Sequence, residues 1–597
     1  MTRYSRRSHS VSNIRNMDTI PDAGQKPASA NTATATTGEI FDRSPGKAGI
    51  ACHWAKTILV ATLAAFVPAG LFAINYTDTQ TASGSTLTLQ AGDTVSVAGA
   101  RALYANSGGS IVVNPVGDVG GITVSSTATS VATVQLGGDG SSMDLGNGSL
   151  INTNYRGVVG SANTSFTATA LQVVGGSEAS PISFSGTVRG LHATGDDGQM
   201  YLGSNTRVTL YADSMATPVG MQAGNSSTVE ATDSLKVTII ENREGPRMES
   251  YAITATSGGT LNTGTNTRLR HLAGTGAYAG SGGTISIGAG ALVEAWFALW
   301  ASGGQISTAD GEFRGVGEGG TGVNVGNGGM VTTSKSDIYG ELNAIQIQNS
   351  TDNSPDVSAP GAITISGGTL RSHAGALISS SIRTGANATN MTVTIRDGAQ
   401  GASDTGIFYE SLAAENIGSV AEIYVEGAKT RVSGAFRGGE NVASTFSITD
   451  ATWTSQGASA MDTLILDNAN LAFTLDAIGD AITASSLTLK GASDVTVDFN
   501  NAFLAQVVAE HAGTLENFDV AALISGSTIG EGDSTGTLGY TLLTQNADGS
   551  TWQAISKGGN LYDIVVLNVV PEPAAVALAG GLLVLAGAFV LRSRQRA

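Results

Sequence analysis

The sequence predicts an all-β protein built as a right-handed parallel β-helix, a solenoid of short strands. Three observations lead to this fold class. A Ser/Asn-Gly-Gly motif recurs along the chain, short segments alternate apolar and polar residues, and 80 of the 597 residues are Gly while only 13% are charged. Alternation with a period of two is typical of strands, and glycine allows the sharp turns between them. Repeated units of one length stack on each other, so each unit predicts one coil.

The Gly-Gly motif sets the predicted length of a coil. In the four central copies the first glycine is residue 258, 282, 303 or 328, which gives spacings of 24, 21 and 25 residues; two more copies begin at Gly108 and Gly367. Residues 284–287 and 486–489 supply the alternating pattern. A period of ~22 residues over a body of ~500 residues predicts roughly 20 coils. The stretch with Pro355 and Pro360 predicts a loop that leaves the stack.

Charge and cysteine content exclude several classes of protein. The chain has 30 Lys and Arg against 48 Asp and Glu, a net charge of -18. Residues 74–570 hold 19 of these basic and 43 of the acidic residues, so a nucleic-acid partner is not expected. The single cysteine, Cys52, precedes the first hydrophobic segment. The exported part therefore has no thiol for a disulfide, a metal site or a nucleophile.

The N-terminal residues are typical of an export signal. Residues 57–73 are uncharged, follow Lys56, and end in small residues around Ala73. This pattern predicts a signal peptide cleaved after Ala73, preceded by a disordered basic extension over residues 1–56. Leu71 is larger than the residues preferred at the third position before the cleaved bond. The predicted cleavage site is therefore open by several residues. An uncleaved anchor helix is the alternative.

The C-terminal residues form a three-part signal. Pro571-Glu572-Pro573 precedes an uncharged segment, residues 574–591, long enough for a single transmembrane α-helix. The segment ends at an arginine cluster that is expected on the cytoplasmic side, formed by Arg592, Arg594 and Arg596. The three parts together resemble the PEP-CTERM sorting signal. That resemblance implies an exosortase-type sorting enzyme as partner and export to the envelope or surface of a Gram-negative, polysaccharide-producing bacterium. A plain C-terminal membrane anchor is the alternative.

The body resembles the passenger region of the pertactin-like autotransporters. Residues 95–500 carry repeated Ala-x-Ser-Gly-Gly units, at Ala105, Ala255 and Ala279, followed by a stretch with Trp453 that is similar to the stabilising end of such passengers. No membrane β-barrel follows, so self-transport is not expected. The predicted domains are the repeats over 74–442, the last coils and cap over 443–570, and the sorting signal over 571–597.

Two acidic motifs are candidates for enzyme chemistry. His192, Asp196 and Asp197 resemble the acidic pair of polygalacturonases, in which two carboxylates act as acid and base. The other motifs of that family, Gly-His-Gly and Arg-Ile-Lys, are missing, and a turn is the preferred interpretation. Residues 532–536, which include Asp533 and Ser534, differ from a serine-protease motif by one substitution. No histidine lies in the sequence context that such a protease requires, so a loop is the preferred interpretation.

Asp139 and Asp144 partly match a calcium-binding repeat, with the second residue misplaced. The rings of Trp296, Phe297 and Trp300 alternate between the faces of a strand, which favours core packing over a sugar platform. We therefore expect no catalytic residue, no metal and no cofactor.

The expected function is that of an exported, non-enzymatic surface or matrix protein, adhesive or structural. Its expected partners are the sorting enzyme, the membrane through the C-terminal helix, and extracellular polysaccharide or other cell surfaces. A β-helix lyase or glycosidase acting on acidic polysaccharide, and an autotransporter-type passenger, are the alternatives.

Overall fold

The computed structural model describes residues 73–115, 120–243, 245–348, 361–381, 390–412, 418–528, 536–543 and 551–568. The chain divides into two units, Met1–Pro68 and Ala69–Ala597, and every described residue belongs to the second. That unit is an all-β parallel solenoid. The predicted fold class is confirmed to this extent.

Each coil contributes one strand to each of three parallel sheets, which we call faces 1, 2 and 3 in chain order. Six long strands bend across a corner and belong to two faces: Arg268–Ala279, Ala291–Ser302, Met330–Gly340, Gly361–Ser372, Ser459–Asp467 and Ile482–Lys490. The other strands of face 1 are Asn75–Tyr76, Thr94–Val97, Thr123–Ser126, Leu150–Thr153, Gln172–Gly175, Arg207–Asp213, Lys236–Asn242, Gly311–Gly315, Gln400–Ser403, Arg431–Ser433, Thr452–Gln456, Asn470–Leu475, Ala492–Phe499 and Thr537–Leu542.

The other strands of face 2 are Gln80–Ser83, Leu103–Asn106, Ala132–Gly137, Arg156–Gly160, Gly186–Ala193, Ala216–Gly224, Tyr251–Thr256, Thr321–Gly326, Asn343–Gln348, Ile378–Ser381, Ile407–Ser411, Ala435–Arg437 and Ile524–Thr528. Those of face 3 are Thr86–Gln90, Ser110–Asn114, Ser142–Asn147, Ser165–Thr169, Gln199–Leu202, Thr228–Ala231, Thr260–Thr263, Thr284–Ile287, Gln305–Thr308, Asn390–Arg396, Ser419–Glu426 and Val442–Thr449.

Strand register stacks like residues above one another. On face 3, Leu261, Ile285, Ile306 and Val331 hold one position in four consecutive coils and are all buried. The alternation read from the sequence therefore sends every second side chain into a common core. No coil could bury these residues alone, and stacking shields them from water.

The two glycines of the motif have different roles at the corner before face 3. The first has a positive φ, for example +66° at Gly282 and +80° at Gly258. The second lies against the preceding coil, where a Cβ on Gly283 would come within 2.1 Å of the Ala255 carbonyl oxygen. Gly367 and Gly368 are different, because they precede residues of face 1 rather than face 3. This sixth copy is not a repeat of the same corner.

Coil length varies more than the motif spacing suggests. Met200 follows its register partner Phe166 by 34 residues, and Leu464 follows Phe446 by 18. After the last full coils come the helix Asn501–His511, the 3-10 helix Val520–Leu523, and an antiparallel sheet of Thr514–Asp519, Thr551–Gly558 and Leu561–Asn568. A buried aromatic pair, Phe499 and Trp552 with ring centroids 4.8 Å apart, joins this sheet to the stack.

Several expected features lie outside the described residues. These are the N-terminal extension and most of the signal segment, the proline-containing loop, Asp533 with Ser534, and the whole C-terminal signal with Pro571, Glu572, Pro573, Arg592, Arg594 and Arg596. In the part of the chain that the structure describes, no helix is both long and apolar enough to span a membrane.

Candidate functional site

Face 1 carries two columns of outward side chains in register. The first column includes Arg207, Lys236 and Arg268 on three consecutive strands. Beside them, Thr209, Thr238 and Arg270 form the second column. Adjacent strands of a sheet lie about 4.8 Å apart, so the columns are rows of polar groups at that interval.

We call Arg207, Lys236 and Arg268 the basic ladder. All three side chains are exposed, and none has a hydrogen-bond or ion-pair partner among the described residues. Like charges directly opposite on neighbouring strands repel each other. Three unpaired cations in a row are unexpected in a chain of net charge -18, where carboxylates are abundant. The ladder is thus a local positive surface on an acidic protein.

The same face continues into three shallow grooves. The first, of about 400 Å³, is lined by Glu312, Arg314, Asp337, Tyr339, Thr369 and Arg371, among others. The second, of about 410 Å³, shares Thr369 and Arg371 and extends to Arg431 and Thr454. The third, of about 680 Å³, lies at the edge of the face and includes Asp404, Arg437 and Asp476. Together they cover the strands from Gly311–Gly315 to Thr452–Gln456.

A paired carboxylate connects the grooves. Asp404 accepts hydrogen bonds from Arg371 Nη2 at 3.0 Å and contacts His373 Nδ1 at 2.9 Å. The hydrogen bonds from His373, which has the larger effect, and from Arg371 lower the pKa of Asp404. The hydrogen bond to Asp404 in turn raises the pKa of His373. Asp404 therefore stays ionised and can accept hydrogen bonds, but it is a poor proton donor.

Tyr339 adds a hydroxyl to the same region. Its Oη donates to Glu341 Oε2 at 2.7 Å. Burial, and to a smaller extent this hydrogen bond, raises the pKa of Tyr339 to about 12. The phenol stays neutral at physiological pH and holds its proton toward Glu341. Around it the polar groups of the first groove pair with one another, Arg314 with Glu312 and Thr369 with Asp337.

The structure separates the residues of the polygalacturonase-like motif. Asp196 and Asp197 are exposed in the turn after Gly186–Ala193, and Asp197 has a φ of 59°. His192 lies on the strand and is largely buried. Burial, and to a smaller extent the positive charges of Arg189 and Arg156, lowers the pKa of His192 to about 3. The motif is thus a turn beside a neutral histidine.

The aromatic cluster occupies both sides of its strand. Phe297 is in the core, whereas Trp296 and Trp300 are half-buried outside it, so only part of the cluster is core. Trp300 meets Tyr278 edge-on at 5.1 Å, and Tyr278 stacks on Tyr251 at 4.5 Å. Because Tyr251 and Tyr278 cover each other, their facing surfaces are not available to a sugar ring.

The calcium-like pair is used within the fold. Asp139 Oδ1 accepts from Asn163 Nδ2 at 3.2 Å, and Asp144 Oδ1 accepts from the Gly146 N–H at 2.9 Å. The described ranges contain no group of three or more His, Cys, Asp or Glu side chains that could hold a metal ion.

A buried Ser-His-Glu group, not foreseen from the sequence, lies under face 1. His271 Nε2 is 2.9 Å from Ser250 Oγ and 3.3 Å from Glu241 Oε1. Burial lowers the pKa of His271 to about 3 and raises that of Glu241. A catalytic triad requires the acid on the other ring nitrogen, and here both partners meet Nε2. The histidine is also fully buried, so this group is structural.

Comparison with known proteins identifies no family. A scan against protein-family models finds no match, and neither does a search of curated proteins. The crystal structure of the autotransporter UpaB from E. coli strain CFT073 is similar over 83% of this chain and 100% of that one, with 12% sequence identity and a TM-score of 0.37. The parallel solenoid itself is established by the strand pairing of this chain.

Proposed function

We propose that the chain is an exported cell-surface or matrix protein that binds acidic extracellular polysaccharide along face 1 without cleaving it. The observation that carries the proposal is the basic ladder. Its cations, which have no partner in the described part of the chain, recur about every 4.8 Å, an interval comparable to the length of one sugar ring. An extended chain with a carboxylate on each sugar could meet them in series, with Thr209, Thr238 and Arg270 of the second column beside it.

One carboxylate of the grooves, Asp404, is better suited to binding than to general acid catalysis. General acid catalysis of glycoside cleavage needs a carboxyl group that is protonated at working pH. Asp404, at the junction of the grooves, has the opposite property, because His373 and Arg371 lower its pKa. A β-helix lyase or glycosidase is the outcome that the test below must exclude.

Export and sorting rest on the sequence signals at the two ends. Cleavage by a signal peptidase, recognition of Pro571-Glu572-Pro573 by an exosortase-type enzyme, and removal of the helix before Arg592 are parts of the proposal. Mass analysis of the mature C-terminus tests it. An intact arginine tail on surface protein would contradict exosortase processing.

The binding test compares the purified full-length protein with the triple variant R207Q/K236Q/R268Q. Retention is measured on immobilised polygalacturonate and alginate, with dextran as the neutral reference. An exposed charge contact contributes ~0.2–1 kcal/mol, so removal of three lowers affinity for the acidic polymers about tenfold. The matched control, K335Q/K429Q/K490Q, removes three exposed lysines outside the ladder and should bind like wild type.

Three results would contradict the proposal. Equal loss in the control variant would assign retention to net charge alone. Equal retention on dextran would remove the role of the ligand's carboxylates. New reducing ends in the polymer would show cleavage and direct attention to the enzyme alternative.

A further inference from the structure

Asp93 is a buried carboxylate in the first coil, and its partners point to processing of the chain. Its side chain is fully buried, and it has no ion-pair partner in the described part of the chain. Oδ1 accepts from the Ile74 N–H at 2.8 Å and Oδ2 accepts from the Gln90 N–H at 2.9 Å. A charge removed from water is costly unless another charge accompanies it.

The equivalent contact in other coils is made by a neutral group. Asp93 is the residue immediately before a strand of face 1, and the strand register identifies its counterparts. Ser149 Oγ accepts from the Ile122 N–H at 3.1 Å, and Ser493 Oγ accepts from the Ala469 N–H at 3.0 Å. A hydroxyl is therefore sufficient to bind an amide N–H at this corner. Of the described corners of this kind, only the first has a charged residue.

The difference lies in what precedes Ile74. Ala73 is the residue after which the signal peptide is expected to be removed, so the nitrogen that Asp93 holds is the one that cleavage would free. We propose that a membrane-bound endopeptidase hydrolyses the Ala73–Ile74 peptide bond and that the new α-ammonium of Ile74 forms an ion pair with Asp93. The water oxygen adds to the Ala73 carbonyl carbon as the C–N bond breaks, so Ala73 leaves as a carboxylate, and the Ile74 nitrogen takes both protons of the water to become an ammonium.

Cleavage then completes the first coil. In the precursor the Asp93 side chain binds two amides, whereas in the exported chain it also neutralises a cation. The Ile74 carbonyl accepts from the Thr94 N–H at 2.9 Å, so the pair holds the first strand onto the second. The ion pair thus stabilises the exposed end of the stack, where a solenoid has no further coil to cover it.

The test begins with the N-terminus of the exported protein, which should be Ile74 by mass analysis. Amide exchange of the segment around Thr94 is then measured in the exported protein and in the full-length precursor. D93N should speed exchange about tenfold in the exported form, where it breaks an ion pair, and much less in the precursor. S149A is the matched control, because it removes a neutral contact and should act equally in both forms.

Alkaline pH provides a second measurement. A free α-amino group has a pKa of about 7.7–8.0, and pairing with Asp93 raises it. The stabilisation is therefore present below about pH 8 and is lost as the pH rises through the raised value. An exported chain that starts elsewhere, or a D93N effect of the same size in both forms, would overturn the proposal without bearing on polysaccharide binding.

Discussion

Replacement of Gly283 by Ala gives the sharpest test of how the corners stabilise the stack. The added methyl carbon would lie 2.1 Å from the Ala255 carbonyl oxygen, whereas ordinary contact begins at 3.4 Å. The two coils would have to move apart by more than an ångström. That oxygen already accepts from the Gly280 N–H at 2.9 Å, so the movement also disturbs this hydrogen bond. We expect a loss of about 3 kcal/mol in the free energy of unfolding.

Two further variants separate the causes. G282A keeps a contact of 3.3 Å but places a side chain at a φ of +66°, which costs about 1–2 kcal/mol. G224A adds a methyl whose nearest neighbour, Thr256 Oγ1, is 3.6 Å away at an ordinary φ, and should change little. Urea unfolding followed by circular dichroism gives the three values. If G283A is no less stable than G224A, close approach of the coils does not explain the second glycine.

Two other outcomes follow from buried groups. Because burial lowers the pKa of His271 to about 3, the unfolded chain binds a proton that the folded chain excludes. The free energy of unfolding should therefore fall as the pH decreases from about 6.5 toward 3, and the raised pKa of Glu241 offsets part of this fall. In H271Q the free energy of unfolding should depend less steeply on pH. W300A should lower the unfolding midpoint, because the contacts of Trp300 with Tyr278 and Phe297 are lost. Retention on polygalacturonate should stay unchanged. Lost retention in a folded W300A protein would assign Trp300 a binding role.

The solenoid was predictable because its determinants are local. Gly282 and Gly283 act within one corner, and the alternation of Thr284–Ile287 fixes which side chains face inward. Both signals lie within a few residues of each other, and each has one physical cause. The copy at Gly367 matches the motif but turns a different corner. A dipeptide motif does not record which of the three corners of a coil it turns.

The candidate site was not predictable in the same way. Lys236 follows Arg207 by 29 residues, and Arg268 follows Lys236 by 32, so no constant period connects them. They become neighbours only because turns of unequal length restore the register of the strands between them. The grouping of Arg371, His373 and Asp404 likewise depends on the coil between them. Such sites need the register of the whole stack.

The contrast between two surface rows indicates which of them is available to a ligand. The rings of Tyr251, Tyr278 and Trp300 contact each other across three coils, so these contacts stabilise the fold itself. The basic ladder makes the opposite arrangement, since its like charges destabilise neighbouring strands and have no partner among the described residues. Neutralising Arg207, Lys236 and Arg268 should therefore leave the fold equally or more stable while affinity for the acidic polymers falls about tenfold. A variant of equal or greater stability with weaker retention would identify the ladder as a surface for binding a polyanion rather than for stabilising the stack.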